Sequence, residues 1–425
     1  MEDIELLYRC FEEASAVCID TRTMAEDCLF FCLSGERFDG NTFAEEALQK
    51  GAKYVVIDNP SYKINDACIC VPNALEALQQ LAVYHRDKLQ IPIIGITGTN
   101  GKTTTKELVQ AVLSEKYSVI ATKGNFNNHI GVPLTLLSVT AETEIAIVEM
   151  GANHAGEIAF LCEIAKPTMG IITNIGKAHL EGFGAVEKIT ETKFALYQSV
   201  KHRNGLLFVN ADDKLLMRLS EGTNRVTYGK KGTVKGSLDD RKLQMEFTLS
   251  NHPKPIRTQL TGGYNFYNAM SAAAVGGHFA VPIKKIAHAL TDYTPDNSRS
   301  QIIKKGKRTL ILDAYNANPS SMKLAIENIA NMKIENKILL LGQMAELGTM
   351  SAEEHQAITD LIQRFSFAKI FLYGEEFLKT NIDKSWVYTD AERMKEYLKH
   401  TLPERATILV KGSRSMKMEQ FLEVL

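Results

Sequence analysis

The stretch from Ile91 to Thr105 constrains this chain most, because an apolar run there breaks into a glycine-rich turn and then opens a helical pattern. Its sequence is Ile-Pro-Ile-Ile-Gly-Ile-Thr-Gly-Thr-Asn-Gly-Lys-Thr-Thr-Thr. The apolar run predicts a strand buried on both faces, and the apolar spacing after Lys102 predicts an amphipathic helix that ends near Glu115. Because a helix N-terminus that faces such a turn attracts anions, we predict a phosphate-binding loop here.

Within this loop, Lys102 is placed to reach the outer phosphates of a nucleotide, and the Thr103 hydroxyl is placed to bind Mg²⁺. The loop departs from the strict Walker pattern, because Ile96 stands where that pattern has its first glycine. An ordinary glycine-rich turn is the alternative, which the flanking strand and helix disfavour. The residues predicted to bind the nucleotide in this loop are Gly98, Thr99, Asn100, Gly101, Lys102, Thr103 and Thr104.

The remaining strand and helix signals predict an α/β protein of three domains, at residues 1–89, 90–298 and 299–425, which agrees with a chain of 425 residues. Short strands alternate with helices in the first domain. The central P-loop domain has a mainly parallel nucleotide-binding sheet with a small antiparallel edge between Tyr228 and Leu260. After a Pro- and Asn-containing linker, a repeating strand–helix pattern predicts a Rossmann-like, doubly wound C-terminal domain. Its first strand is predicted at Thr309 and its last helix near Met416.

Charge and hydropathy limit the partners of the protein. The formal net charge is −1, so no general field would attract nucleic acid or an acidic membrane. The N-terminus is acidic where a signal peptide is basic, and no apolar run approaches membrane-spanning length. We therefore expect a cytoplasmic protein that contacts neither nucleic acid nor membrane.

Cysteine usage points to free thiols. Six of the seven cysteines lie in the first domain, and the even spacings of Cys28 with Cys32 and of Cys68 with Cys70 would put each pair on one face of a sheet. No two paired Cys-x-x-Cys motifs are present, which disfavours a zinc site. We predict buried free thiols.

Polar residues follow the strands of the central domain, where ligands collect in open α/β sheets. Asn125 and Asn128 follow the second strand, Glu149 ends the third, and His179 follows the fourth. A carboxylate at the end of an apolar strand is costly unless a cation neutralises it, so Mg²⁺ held by Glu149 and Thr103 is predicted. His179 is the next candidate metal ligand, although a loop histidine is also a common surface or capping residue. From periodicity alone, Lys193 is a solvated charge on a helix.

Polar loops in the outer domains are candidate substrate sites. The loops of the first domain carry groups that bind phosphate or hydroxyl ligands, although surface turns have the same composition. In the third domain, Lys411 and Arg414 are candidates for binding a substrate carboxylate, although both fit solvated charges at a helix end. The predicted substrate residues are Asp20, Arg22, Ser34, Arg37, Asn128, Asn316, Asn318, Lys411 and Arg414.

Together these motifs resemble the Mur ligase family of bacterial cell-wall synthesis, in order and over all three domains. The motifs that carry the resemblance are Thr97-Gly-Thr-Asn-Gly-Lys-Thr-Thr104, Gly124-Asn125, Glu149-Met-Gly151, Asn174-Ile-Gly-Lys-Ala-His179, Gly263-Tyr-Asn-Phe-Tyr-Asn268, Asp313-Ala-Tyr-Asn-Ala-Asn-Pro319, Leu341-Gly-Gln-Met-Ala-Glu-Leu-Gly348 and Lys411-Gly-Ser-Arg-Ser-Met416.

The resemblance implies an ADP-forming amide ligase that uses ATP and Mg²⁺. Its small-molecule substrates would be UDP-N-acetylmuramoyl-tripeptide, bound by the first domain, and D-alanyl-D-alanine, bound by the third. The tripeptide carboxylate would attack the γ-phosphate, and the dipeptide amine would then attack the acyl phosphate. A monomer is expected.

The resemblance also implies roles for individual residues. Asn125 would lie near the γ-phosphate and act with Lys102, His179 and Lys193 as catalytic residues. Lys193 would be carbamylated and so become an anionic metal ligand beside Thr103, Glu149 and His179. The residues that would contact the nucleotide outside the P-loop are Asn265, Asn268, Arg299 and Asp313.

The chain departs from the family pattern at two places, and two other functions stay open. Gln343 stands where aspartate is general, which argues against an anionic role there, and Asn297-Ser298 precede Arg299 where glycine is usual. A sister amide ligase with another amine substrate would share the central domain. A catalytically silent nucleotide-binding partner is disfavoured by the intact candidate site.

Overall fold

The computed structural model describes residues 2–36, 38–239 and 242–425, and it arranges them around three β-sheets. The strands are β1 (Val17–Cys18), β2 (Leu29–Phe31), β3 (Tyr54–Ile57), β4 (Cys68–Cys70), β5 (Ile93–Thr97), β6 (Val119–Ala121), β7 (Ile145–Glu149), β8 (Met169–Ile172), β9 (Leu206–Asn210), β10 (Asn224–Gly229), β11 (Val234–Asp239), β12 (Glu246–Leu249), β13 (His252–Arg257), β14 (Gln301–Lys305), β15 (Arg308–Asp313), β16 (Lys337–Gly342), β17 (Lys369–Tyr373), β18 (Val387–Tyr388) and β19 (Thr407–Lys411).

Helices cover the sheets and connect most of the parallel strands. They are α1 (Glu2–Glu13), α2 (Ala44–Gln49), α3 (Ala74–Lys88), α4 (Lys102–Ser114), α5 (Gly131–Leu137), α6 (Glu157–Ala165), α7 (Leu180–Phe183), α8 (Val186–His202), α9 (Lys214–Leu219), α10 (Asn265–His278), α11 (Ile283–Asp292), α12 (Pro319–Asn331), α13 (Ser351–Gln363) and α14 (Ala391–Thr401). No helix in the described ranges combines the length and apolarity needed to cross a membrane.

The first sheet is parallel, with the strand order β1-β2-β3-β4. The Asn73 side chain caps α3 by accepting a hydrogen bond from the Glu76 N–H at 2.9 Å. Helix α3 then packs against α5 and α6 of the central domain. Residues 89–92 connect α3 to β5.

The central sheet has the order β13-β12-β11-β10-β9-β8-β5-β7-β6, which puts the phosphate-loop strand β5 between β7 and β8. All neighbours from β6 to β11 in this sheet order, β5 included, pair in parallel. At the other edge, β12 pairs antiparallel with both β11 and β13. The predicted mainly parallel sheet with an antiparallel edge is therefore confirmed. Because β5, β7 and β8 are parallel neighbours, the loops after all three converge at one point.

The third sheet has the order β14-β15-β19-β16-β17-β18 and is parallel except for β14. Strand β14 was not predicted, because residues 301–305 directly follow the linker. A helix predicted near Met416 is wrong, since the chain forms 3₁₀ turns at Arg414–Met416 and Met418–Val424. The doubly wound C-terminal domain is otherwise as predicted.

All seven cysteines lie in the described part of the chain and are free. Cys28 and Cys32 pack in one apolar cluster on the first sheet, as their spacing predicted. Cys68 belongs to the same cluster, without its predicted companion Cys70. The prediction of burial is wrong for Cys70, which is exposed at the end of edge strand β4.

Candidate active site

The phosphate loop is built on two glycines with positive φ angles. Gly98 has a φ of +147°, and a Cβ there would lie 1.9 Å from the Thr173 hydroxyl oxygen. Gly101 has a φ of +79° and is the N-cap of α4. Other residues strain at such angles, so these glycines fix the turn that points the N-terminus of α4 toward the cavity.

A cavity of 340 Å³ lies where this loop meets the third domain. It brings together the predicted residues Thr99, Asn100, Gly101, Lys102, Thr103, Thr104, Asn128, Glu149, His179, Asn265, Asn268, Arg299, Asp313, Asn316, Asn318 and Lys411. Among the described residues, the predicted ones that do not line it are Gly98, Asn125, Lys193, Asp20, Arg22, Ser34 and Arg414.

Lys102 is folded back over the phosphate loop. Its Nζ donates hydrogen bonds to the carbonyls of Gly98 at 2.9 Å and Thr99 at 3.3 Å. Burial lowers the pKa of the Lys102 ammonium, and the charge of Glu149 opposes that shift. The ammonium group is therefore held against the carbonyls of the loop.

Glu149 is a buried carboxylate with one oxygen left unsatisfied. Its Oε1 accepts hydrogen bonds from the Thr103 hydroxyl at 3.1 Å and from the Asn127 side-chain amide at 2.8 Å. Its Oε2 is buried and has no hydrogen-bond partner among the described residues. A buried carboxylate oxygen without a donor is unstable, so a cation fits this position.

Asn127 was missed from the sequence, where Asn125 and Asn128 were preferred. The loop after β6 turns Asn127 toward Glu149, whereas Asn125 is exposed. Asn128 Oδ1 accepts from the N–H of Gly131 at 2.9 Å and so stabilises the start of α5. The three asparagines lie within four residues of an irregular loop, so no periodic pattern in the sequence indicates which one faces Glu149.

His179 adopts a left-handed backbone with a φ of +50° and faces the third domain. Its Nδ1 lies 2.5 Å from Oε2 of Glu346. This contact is at ion-pair distance, but it lacks hydrogen-bond orientation, since Nδ1 has no hydrogen-bond partner in the described chain. The nearby histidine holds the pKa of the Glu346 carboxyl below its usual value.

Lys193 lies on α8 with only 3% of its surface exposed, so it is not the solvated charge that periodicity alone suggested. Burial, together with the charge of Lys102, lowers the pKa of Lys193 to about 7. No hydrogen bond or ion pair of its ammonium group is found in the described part of the chain. A buried amine that is half neutral near neutral pH is reactive toward electrophiles.

Asn265 and Asn268 of α10 form a hydrogen-bonded pair that contacts the first turn of α4. Asn268 Oδ1 accepts from the Thr105 hydroxyl at 3.1 Å, and its Nδ2 donates to Asn265 Oδ1 at 2.9 Å. Asn265 in turn donates to the Thr261 carbonyl at 2.7 Å. Both side chains are buried and line the cavity beside Gly101.

The third domain contributes a buried ion pair. Asp313 and Lys411 are opposite residues of the parallel strands β15 and β19, and their side chains meet at 2.6 Å. Lys411 Nζ also contacts the Asn316 carbonyl at 3.2 Å. Its ammonium group is therefore engaged within the domain, and the prediction that Lys411 binds the dipeptide carboxylate does not fit this geometry. Arg414 is exposed and pairs with Glu419 at 2.7 Å.

Arg299 and Asp313 line the cavity from the two ends of the antiparallel β14–β15 hairpin. The Arg299 guanidinium lies 3.7 Å from the centroid of the Tyr315 ring, a cation–π contact. The Ser300 N–H donates to Asp313 Oδ1 at 3.1 Å. Asn318, the N-cap of α12, donates to the Asn100 side-chain oxygen at 2.8 Å, which joins the third domain to the phosphate loop.

Comparison with known proteins gives the family. Three Mur ligase models match the chain in order: the Mur ligase family catalytic domain at residues 13–96, the Mur ligase middle domain at 96–276, and the Mur ligase glutamate ligase domain at 298–414. UDP-N-acetylmuramoyl-tripeptide--D-alanyl-D-alanine ligase of Bacillus subtilis is 35% identical over 96% of this chain and 92% of its own length. The chain belongs to the Mur ligase family.

Solved Mur ligases share the whole arrangement of this one. MurF from Acinetobacter baumannii has a TM-score of 0.85 at 26% identity, over 99% of this chain and 97% of that one. MurF from Thermotoga maritima, solved in complex with ADP, has a TM-score of 0.83 at 27% identity, over 97% of both chains. The predicted family and fold are thereby confirmed.

A larger cleft of this Mur ligase, 1160 Å³, lies between the first and central domains. Asp20 and Arg22 line it and pair with each other at 2.6 Å, and Lys123 and Phe126 face them from the central domain. Ser34 donates to Asp39 at 3.0 Å. The prediction for Arg37 lies outside the described residues.

The departure of this Mur ligase at Gln343 has a structural explanation. Gln343 Oε1 accepts a hydrogen bond from the Glu376 N–H at 3.2 Å, at the start of a 3₁₀ turn. A neutral amide oxygen makes this contact without an anion.

Proposed function

We propose that this Mur ligase joins D-alanyl-D-alanine to UDP-N-acetylmuramoyl-tripeptide, with ATP as the energy source. The products are UDP-N-acetylmuramoyl-pentapeptide, ADP and phosphate. The observation that carries the proposal is the buried carboxylate of Glu149, held by Thr103 of the phosphate loop and left with one free oxygen. The name of the relative that is 35% identical supports the choice of substrates.

Magnesium fits this site. Mg²⁺ is held in nucleotide sites by one or two carboxylates, a P-loop hydroxyl, substrate phosphates and water. Glu149 and Thr103 supply such groups, with His179 and a modified Lys193 as further candidates. Within the described residues, no three His, Cys, Asp or Glu side chains form a ready-made cage. When bound, the ion would neutralise charge that develops on the phosphates.

Activation of the carboxylate is the first chemical task, because oxide is too poor a leaving group for direct amide formation. The tripeptide carboxylate attacks the γ-phosphorus of ATP, which gives an acyl phosphate and releases ADP. Lys102 would leave the loop carbonyls for the outer phosphates, and Arg299 would approach the nucleotide from the third domain. Such phosphoryl transfer needs positioning and charge stabilisation more than a protein nucleophile.

Amide formation follows at the activated carbonyl. The dipeptide amine attacks the carbonyl carbon, a tetrahedral intermediate forms, and its collapse expels phosphate with the former carboxylate oxygen. The contact of Asn318 with Asn100 supports a role of the third domain in excluding water from the acyl phosphate. The first domain would bind the UDP-sugar in its cleft, and the third domain, including Arg414, would bind the dipeptide.

Lys193 would be carbamylated in the active enzyme. The neutral amine attacks CO₂ to form a carbamate, and one proton is released. A pKa of about 7 makes this amine available near neutral pH. The product is an anion near Lys102, so the modification replaces a repulsion with an attraction.

Mass spectrometry tests the function directly. The purified protein is incubated with ATP, Mg²⁺, UDP-N-acetylmuramoyl-tripeptide and D-alanyl-D-alanine, and the pentapeptide product is expected together with one ADP per amide bond. Product with another amine, but not with this dipeptide, would indicate a sister ligase. ADP release that no amine accelerates would contradict the proposal.

A further inference from the structure

Glu346 of the third domain contacts His179, which lines the nucleotide cavity, although no role at this site has been assigned to Glu346. Its carboxylate is 2.5 Å from His179 Nδ1. Both residues have left-handed backbones, with φ angles of +61° and +50°. This conformation is strained for a residue other than glycine, so surrounding contacts must hold both in place.

The loop that carries Glu346 is fixed from inside the third domain. The Met344 N–H donates to Nε2 of His355 at 3.0 Å, and the Ala345 N–H donates to the Ser413 hydroxyl at 2.7 Å. Both acceptors are buried, with 0% and 1% of their surfaces exposed. Glu346 therefore projects from a rigid support.

The loop that carries His179 is docked on the same domain from both sides. Before His179, the Lys177 N–H donates to the Ser320 hydroxyl at 2.9 Å, and the Lys177 ammonium pairs with Glu354 at 2.6 Å. After it, the Glu181 N–H donates to the Glu346 carbonyl at 3.2 Å. The position of the imidazole thus depends on the docked third domain.

Histidines that bind metals usually present one ring nitrogen to the ion and the other to a carboxylate or carbonyl, which sets the tautomer and the ring orientation. The Glu346 carboxylate lies at ion-pair distance from Nδ1, and its negative charge favours the tautomer that carries the hydrogen on Nδ1, so Nε2 is the nitrogen left for an ion. We propose that Glu346 is a positioning residue that orients His179, so that docking of the third domain completes the metal site. This inference rests on the proposed function, because it takes His179 as a metal ligand.

A role in domain docking alone is the competing explanation, and Glu354 offers a matched control. It is also a carboxylate of the third domain that pairs with the loop after β8, but it contacts Lys177 and not His179. Each substitution removes one of several polar contacts that dock the loop on the third domain, so docking alone would make the two variants behave alike. Loss of histidine orientation would follow only from Glu346→Gln.

The test measures Mn²⁺ binding by electron paramagnetic resonance in the presence of a non-hydrolysable ATP analogue. For Glu346→Gln, we expect affinity for Mn²⁺ to fall about 10- to 100-fold, the usual effect of removing such a partner. Glu354→Gln should bind Mn²⁺ nearly as the parent does. Unchanged affinity in Glu346→Gln, or an equal loss in both variants, would overturn the inference.

A double-mutant cycle tests whether the effect passes through His179. In a His179→Ala background, Glu346→Gln should weaken Mn²⁺ binding no further, and an additional full loss would overturn the inference. Circular dichroism and thermal unfolding check that each variant is folded. Because metal binding is measured without turnover, a parent protein that binds Mn²⁺ but forms no pentapeptide would refute the proposed function and not this inference.

Discussion

The central domain is joined to its two neighbours in different ways. At the first join, α3 packs along α5 and α6, and the buried Arg86 donates to carbonyls at the end of α6, Ala165 and Lys166, each at 3.0 Å. At the second join, short α7 contacts a 3₁₀ turn of the third domain, and loop side chains such as Asn100 and Asn318 meet. The first join is therefore a scaffold, whereas the second join is part of the candidate active site.

Buried contacts of the first join satisfy groups that would otherwise be unpaired. The carbonyls at a helix C-terminus lack internal partners, and Arg86 supplies donors to them across the domain boundary. Contacts of the second join are polar, and several are partly exposed, as are His179 and Glu346. Polar, partly hydrated contacts can open for substrates at low cost. We therefore expect substitutions at the first join to change stability and substitutions at the second to change rate.

The largest effect is expected from Lys102→Ala at the phosphate loop. Loss of a preorganised cation at the phosphates should lower kcat for ADP release about 1000-fold without unfolding the protein. Lys116→Ala is the matched control, because Lys116 is exposed just beyond the far end of the same helix. Steady-state kinetics and circular dichroism measure both. Normal turnover by folded Lys102→Ala would break the assignment of the active site.

Arg86→Ala should weaken the first join and so lower the stability of the protein. Removal of this side chain leaves carbonyls of α6 unpaired, which should lower the free energy of unfolding by about 3 kcal/mol. Arg203→Ala is the control, because Arg203 is exposed and bonds within its own helix to Ser199. Urea denaturation gives both values. A large loss of kcat in Arg86→Ala with unchanged stability would contradict the scaffold role.

Lys193 should give a smaller, pH-dependent effect. With a pKa of about 7, the neutral fraction of the amine rises from about one tenth near pH 6 to about nine tenths near pH 8. Activity limited by carbamylation should therefore rise with pH over this range and respond to added bicarbonate. A carbamate signal in ¹³C NMR with labelled bicarbonate, absent in Lys193→Gln, is the direct readout. No signal at either pH would refute the modification.

The smallest effect is expected at His85 of the first join. Burial lowers the pKa of His85, and the neutral ring accepts from the Tyr8 hydroxyl and donates to the Val139 carbonyl, each at 3.2 Å. The contribution of His85 to stability is thus present above the ordinary histidine pKa and is lost as pH falls through that value toward the lower folded-state pKa. The unfolding temperature should therefore fall as the pH is lowered through this range, and it should fall less in the His85→Gln variant. Equal pH dependence of the unfolding temperature in both proteins would show that His85 does not contribute to the stability of the first join.

Much of the fold could be predicted because it is encoded locally. Apolar runs predicted the alternation of strands and helices in all three domains, and the glycines of the phosphate loop predicted its turn. The sheet order places β5, β7 and β8 side by side, so residues just past those strands were sound candidates.

Contacts between distant segments could not be predicted in this way. Glu346 meets His179 from another domain, and neither residue has a local pattern that points to the other. Asn127 differs from Asn125 only in the path of an irregular loop. The pairing of Lys411 with Asp313 depends on the register of β15 and β19. Lys193 lies on the buried face of α8, and the prediction that it is a solvated charge rests on its residue type, not on its helical spacing.

In the proposed reaction, ATP activates a carboxylate at the phosphate loop before the amide bond forms. Tripeptide substrate labelled with ¹⁸O in its terminal carboxylate tests this activation most directly. Since the acyl phosphate loses phosphate together with one former carboxylate oxygen, each phosphate released should carry one ¹⁸O, as seen by mass spectrometry. Unlabelled phosphate formed alongside the pentapeptide would contradict the account.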